Sequence, residues 1–262
     1  MTYETLHVEK EGMVDWLTLS RPEVLNALND VMMNELDDYF GRLTTNSSVR
    51  IVAMRGAGRA FCAGWDVKNQ ESGAQSGKSR GPENAFKAAR HASEIVRKMR
   101  RCPQPIVAMI NGAACGGGFA LAAAADIRIA VPLARMNAAF IRIGLSGCDM
   151  GLSYHLPRII GTAVAAELML TGRFINAQRA LAVGFVSEIV GDEDLIGTAR
   201  SYIDEMLATS PLGLRLTKEC MNMNLAAGSL ESAIAMEDRN QALCLQSPEF
   251  NERLQALGER KS

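Results

Sequence analysis

The sequence predicts an α/β fold: a mainly parallel sheet layered with helices, then a helical C-terminal end. Three observations carry this. Short aliphatic runs at 51–54, 106–110 and 127–131 alternate with stretches of helical spacing, the pattern of parallel strands joined by crossover helices. Glycine-rich segments follow the first two runs, as turns do where a strand delivers backbone to a ligand. Beyond Gly144 the periodic stretches are helical. With 262 residues, the chain suits one large domain with an appendage, a core over 1–200 and a helical region over 201–262.

Taken in order, residues 6–8 and 14–19 form paired strands joined near Glu11-Gly12. Asn29 caps a helix over 31–43. Residues 50–55 hold a buried strand around Ile51, Val52, Ala53 and Met54. Residues 72–83, rich in Gly, Ser, Gln and Lys, are a mobile loop, and a helix follows over 85–99. Residues 103–125 carry no charge, long enough for a membrane span. Two prolines, Asn111, four glycines and many alanines instead favour a buried strand, a glycine loop and a buried alanine-rich helix. Helical spacing returns at 163–170, 177–182, 195–208 and 212–226, with Pro211 in a first turn after Ser210. Residues 230–257 interleave charges with Ala, Met and Leu; the apolar side, with Met236, Leu243 and Leu245, needs a partner.

Composition narrows the function. A net charge of −1 gives no electrostatic case for nucleic acid. Six scattered cysteines form no CxxC pair and no zinc site, and suit reduced thiols in a cytosolic protein. The polar N-terminus lacks a signal-peptide core. Gly112 and Gly117 have P-loop spacing, but Gly118 and Phe119 stand where Lys and Ser/Thr are required, and no GxGxxG is present. Ser146, His155 and Asp149 could suggest a triad, yet residues 144–148 are not GxSxG.

The glycine segments point to chemistry. One reads Arg59-Ala60-Phe61-Cys62-Ala63-Gly64-Trp65-Asp66, the other Asn111-Gly112-Ala113-Ala114-Cys115-Gly116-Gly117-Gly118. A helix start after such a turn leaves N–H groups unpaired. Two of them aimed at one point would hold a developing oxyanion, which suggests a carbonyl substrate, most simply a thioester.

These segments, with Pro105-Ile106-Val107-Ala108-Met109-Ile110-Asn111-Gly112 and Ala125-Asp126-Ile127-Arg128-Ile129-Ala130, resemble the crotonase (enoyl-CoA hydratase/isomerase) family. Ser20-Arg21-Pro22, Leu25-Asn26-Ala27-Leu28, Leu156-Pro157-Arg158-Ile159-Ile160-Gly161 and Leu170-Thr171-Gly172 match too, so the resemblance covers about residues 5–225. It implies a crotonase-like spiral of ββα repeats with a C-terminal helical trimerisation region, as a homotrimer or dimer of trimers. It also implies an acyl-CoA substrate from fatty acid metabolism, in the cytoplasm. Coenzyme A is then part of the substrate; no separate cofactor, metal, nucleic acid or membrane is implied. The oxyanion N–H groups fall on Trp65 and Gly117. Val24, Leu25, Ala27, Ala63, Asp66 and Val67 line the CoA path, Asp66 more readily as a loop brace than as a chemical group. Arg21, Lys68, Lys78 and Arg80 could meet the CoA phosphates, although Lys78 and Arg80 more readily suit solvated loop positions.

The departures matter as much. The two glutamates of typical hydratases fall at Ala120 and Phe140 here, so their paired acid/base mechanism is not available. Asp149 stands where dienoyl-CoA isomerases and chlorobenzoyl-CoA dehalogenases of the family keep a functional aspartate. Its neighbours Gly147, Cys148, Met150 and Gly151 favour a raised pKa, although Asp149 could equally cap a helix. His91 lies near the dehalogenase histidine but out of register, and suits a solvent-facing helix position. Phe86, Phe119, Phe140 and Trp65 hint at aromatic pocket walls. The expected activity is enoyl- or dienoyl-CoA isomerisation, or a hydratase-type lyase reaction, with Asp149 moving the proton. The alternatives are a CoA-dependent C–C bond hydrolase and a non-catalytic CoA-binding scaffold.

Overall fold

The computed structural model describes residues 2–67 and 81–259. Strand β1 (Leu6–Glu11) pairs antiparallel with β2 (Val14–Leu19), Leu6 opposite Leu19. β1 runs past residue 8 because Glu9, Lys10 and Glu11 pair through their backbone, which leaves no hydrophobic trace in the sequence. Helix α1 (Asp30–Leu43) starts at Asn29, whose side chain accepts from the Met32 N–H at 2.9 Å.

From here the chain lays down one strand in each of two sheets per repeat. β3 (Ile51–Gly56), β5 (Ile106–Ile110) and β7 (Ile127–Ala130) join the first sheet. Short β4 (Ala60–Cys62), β6 (Ala113–Cys115) and β8 (Arg135–Asn137) join the second. With β9 (Ile175–Asn176) and β10 (Glu188–Ile189), the strand orders are β1-β2-β3-β5-β7-β10 and β4-β6-β8-β9. β2, β3, β5, β7 and β10 run parallel to one another, and β4, β6 and β8 do likewise. This is the expected winding of ββα units. The three-residue strands of the second sheet are too short to carry a readable periodicity.

Helix α2 (Pro82–Arg101) follows the first repeat and begins earlier than residue 85, with proline in its first turn. The expected loop over 72–83 therefore ends in helix, and its 72–80 part lies outside the described residues. Helix α3 (Gly117–Ala124) is buried at every position, which suits the alanine-rich segment. Helix α4 (Leu152–Ile160) has no counterpart in the periodic pattern, because it carries Pro157 and begins after Gly151.

Helices α5 (Thr162–Thr171) and α6 (Ala177–Ala182) follow. α7 (Leu195–Leu207) buries Leu195, Ala199 and Ile203 against β3, β5 and β7, so residue 200 lies inside a helix of the sheet layer. α8 (Pro211–Asn224) starts at Ser210, whose hydroxyl accepts from Gly213 N–H. It is pinned to the core by buried Lys218, which donates to the Gln104 carbonyl at 2.7 Å and pairs with Asp126 at 2.9 Å. A charge this deep is stable only when so partnered. The 230–257 stretch is two helices, α9 (Leu230–Leu245) and α10 (Pro248–Glu259), divided just before Pro248. α9 buries none of its residues, and Leu230, Leu243, Leu245 and Leu254 are each more than half exposed. Among the described residues no helix is long and apolar enough to cross a membrane.

Candidate functional site

Two neighbouring strands of the small sheet, β4 and β6, each run into a glycine turn. After β4, Gly64 adopts φ +90°. Leu28 N–H donates to the Gly64 carbonyl at 2.7 Å, and Asp66 N–H donates to the Leu28 carbonyl at 3.0 Å. These bonds straddle Trp65 in a parallel bridge, and that geometry turns the Trp65 N–H away from Leu28. After β6, Gly116 (φ +50°) precedes α3, so the Gly117 N–H is among the first of the helix, where no intrahelical acceptor exists.

The two turns touch. A Cβ on Gly64 would lie 2.6 Å from the Cys115 carbonyl oxygen and 3.5 Å from the Gly117 nitrogen. A Cβ on Gly118 would overlap the Cys62 carbonyl oxygen. Only glycine backbone allows this approach. Trp65 and Gly117 thus present N–H groups from adjacent turns, one of them at a helix N-terminus that favours negative charge.

A third segment packs alongside. Ala63 N–H donates to the Leu25 carbonyl at 2.9 Å, which sets Val24, Leu25 and Ala27 next to Ala63. Leu25 and Asn26 hold left-handed backbone, φ 56° and 57°, a strain for residues with side chains. Fully buried Asn26 stabilises it: its Oδ1 accepts from Arg21 N–H, and its Nδ2 donates to the Ala57 and Ala60 carbonyls at 2.9 and 2.8 Å. Arg21 pairs with Asp66 at 2.9 Å and donates to the Ala27 carbonyl. Arg21 is therefore engaged inside the protein, and buried Asp66 braces the turn. Val67 is half exposed at the edge. Lys68, Lys78 and Arg80 lie outside the described residues.

Asp149 comes next to the Gly117 turn only through its neighbour in the chain. Its neighbour Met150 is buried, with the sulfur 3.2 Å from where a Cβ on Gly117 would sit. The Asp149 carboxylate is half-buried, and one oxygen accepts from Met150 N–H at 2.8 Å. Burial pushes its pKa above the usual carboxylate range, and this bond only partly opposes the rise. Asp149 is not the cap of the next helix. Gly151 holds that position, and no side chain caps α4.

The two positions at which the family resemblance put the hydratase glutamates are apolar. Ala120 is fully buried one helical turn beyond Gly116. The Phe140 ring packs 3.4 Å from where a Cβ on Gly116 would lie and is 6% exposed.

Other candidates fall away from this centre. Phe119 is core, edge-on to Phe185, and Phe86 is mostly exposed, so neither forms an aromatic wall with Trp65 and Phe140. His155 is buried and its pKa is pushed down to about 4, first by burial and then by Arg100, Arg128 and Arg158. The Ser146 hydroxyl accepts from Cys148 N–H and makes no bond to His155. His91 is half-buried rather than solvent-facing, and its Nε2 has no hydrogen-bond partner among the described residues. Among those residues no cluster of His, Cys, Asp and Glu could hold a metal. Met150 and Asn26 were not legible as site residues, because a methionine and an asparagine in a loop carry no pattern of their own.

The enoyl-CoA hydratase/isomerase family model matches residues 9–262. A "probable enoyl-CoA hydratase" of Mycobacterium leprae is 39% identical over 90% of this chain and 81% of its own length. The 1,2-epoxyphenylacetyl-CoA isomerase of Escherichia coli is 34% identical over 100% of this chain and 97% of its own. The crystal structure of a monofunctional enoyl-CoA isomerase from Mycobacterium smegmatis superposes with a TM-score of 0.74, at 36% identity, covering 88% of this chain and 98% of that one.

Proposed function

Because the chain belongs to the enoyl-CoA hydratase/isomerase family, whose crotonase-type fold it shares, we propose that it isomerises a double bond in an acyl-CoA thioester. The observation that carries the reading is the carboxylate pattern: Asp149 next in the chain to Met150, whose sulfur packs on the Gly117 turn, with Ala120 and Phe140 apolar. The thioester oxygen would sit between the N–H groups of Trp65 and Gly117. Asp149 would take a proton from a carbon along the acyl chain. The C–H electron pair would move into the dienolate, whose negative charge those donors hold. The same carboxyl would return the proton at another carbon, shifting the double bond. Each such donor is worth about 3–4 kcal/mol of transition-state stabilisation. The E. coli and M. smegmatis relatives are named isomerases, which supports this reading.

A panel of enoyl- and dienoyl-CoA thioesters, followed by absorbance and product chromatography, tests it. Rearranged products are expected. The apolar Ala120 and Phe140 also suit a second reading, a CoA-binding scaffold without turnover. Tight CoA binding with no product from any member of the panel would favour that scaffold and overturn the isomerase.

The same reading includes assembly. The exposed leucines of α9 and α10 need a cover, and a homotrimer or dimer of trimers supplies one. Light scattering is expected to give three or six copies; a monomer at all concentrations would overturn this.

A further inference from the structure

Paired strands set how far apart the two glycine turns stand, but the direction of each N–H is set separately. Gly117 opens α3, where Ala120 N–H donates to the Gly116 carbonyl at 3.0 Å, so helix geometry aims the Gly117 N–H. Trp65 has no helix to aim it. It sits in an isolated bridge after Gly64, whose φ of +90° belongs to a residue with the widest backbone freedom. The direction of the Trp65 N–H therefore depends on what holds residues 64–66 against residues 27–28.

Two backbone bonds, from Leu28 to Gly64 and from Asp66 to Leu28, do part of this. Both meet the turn at Leu28 alone, which leaves it a pivot. A side-chain strap closes the ring. One terminal nitrogen of Arg21 pairs with the Asp66 carboxylate at 2.9 Å, and the other donates to the Ala27 carbonyl. The planar guanidinium holds these two acceptors at a fixed angle. Arg21 is itself fixed, because its backbone N–H donates to Asn26 Oδ1 at 2.9 Å. With Asp66 7% and Arg21 15% exposed, the pair is little screened by water or salt.

We propose that Arg21 and Asp66 are positioning residues: their ion pair aims the Trp65 N–H at the thioester oxygen, while the Gly117 donor does not depend on it. The inference rests on the thioester reading of the site and adds to it the pair that preorganises one donor. Preorganisation is what gives such donors their effect. A misplacement of about 1 Å costs about a hundredfold in rate.

A push–pull thioester, 4-dimethylaminocinnamoyl-CoA, provides the readout, because its absorption moves to the red when its carbonyl oxygen accepts hydrogen bonds. Asp66→Asn removes the charge at the turn. Arg21→Lys keeps a charge opposite Asp66 but has no fork to reach Ala27 as well. In both variants the red shift of the bound probe is expected to fall by about half or more, and kcat on any thioester turned over to fall about ten- to a hundredfold, with KM within about threefold. Circular dichroism and thermal melting report folding. The shift is read on bound, folded protein, so a loss of stability alone does not move it. Folded variants that keep the wild-type shift, however destabilised, would overturn the proposal and leave the thioester reading standing. Should Asp66→Asn fail to fold, Arg21→Lys decides by the same shift. Wild-type protein that does not bind the probe, or binds it without a red shift, would overturn the thioester grip and the strap together.

Discussion

Crotonyl-CoA is expected to be hydrated several powers of ten more slowly than by a two-glutamate hydratase. Adding water needs a water molecule held on one face of the double bond, one group to take its proton and another to protonate carbon. Each acid/base partner typically contributes about 10²–10⁴ in rate. Held water adds a positioning contribution of its own. Ala120 is fully buried, and Phe140 fills space against Gly116 with an apolar ring. An aromatic ring at that point displaces the water that a carboxylate would anchor. Asp149 alone would have to bind the water and deprotonate it, with no second group to finish. Steady-state loss of enoyl absorbance measures the rate. Turnover within about tenfold of a two-glutamate hydratase would show that the working carboxylates lie elsewhere.

If Asp149 moves the proton as proposed, replacing it with asparagine is expected to lower kcat about a hundredfold or more on any thioester that is turned over. The amide keeps an oxygen to accept the Met150 N–H, so the loop and CoA affinity are expected to survive. Circular dichroism and calorimetry check both. The pH profile carries a second signature. Asp149 must be ionised to take a proton, and burial raises its pKa. Activity is therefore expected to rise with pH through an inflection above the ordinary aspartate range, and the variant is expected to lose that inflection. Near-normal turnover of Asp149→Asn would remove this residue from the mechanism.

The long buried strands were legible because Ile51, Val52, Ile106, Val107 and Ile127 crowd β-branched residues into short runs between helical stretches. Asn29 was legible as a cap, and Pro211 as a first-turn residue, because their chemistry is local; Asn29 accepts the expected backbone bond. The small sheet was not. Ala60–Cys62 and Ala113–Cys115 are held by pairing with each other, a nonlocal fact that three residues cannot encode. Helix α4 was legible only from its possible start after Asp149, since Pro157 interrupts its spacing, and the cap role open to Asp149 fell to Gly151 because Met150 takes a left-handed turn between them. In the site, Gly64 and Gly117 announced themselves as glycines. Arg21 did not show that it would be spent on Asp66, and His91 did not show that half of it would be covered.

The winding of the chain has a consequence for tolerance to change. Gly64 and Gly116 follow the ends of adjacent strands of one sheet, and such strands lie about 4.8 Å apart. A single oxygen accepting two N–H bonds of about 2.9 Å needs its donors at close to that separation. If Trp65 and Gly117 hold the carbonyl as proposed, the gauge of that grip follows from backbone alone, from two paired strands and the glycine turns that continue them. On that reading, side chains around it could vary with the acyl group handled, and the fold could change its chemistry without recutting the part that holds the carbonyl.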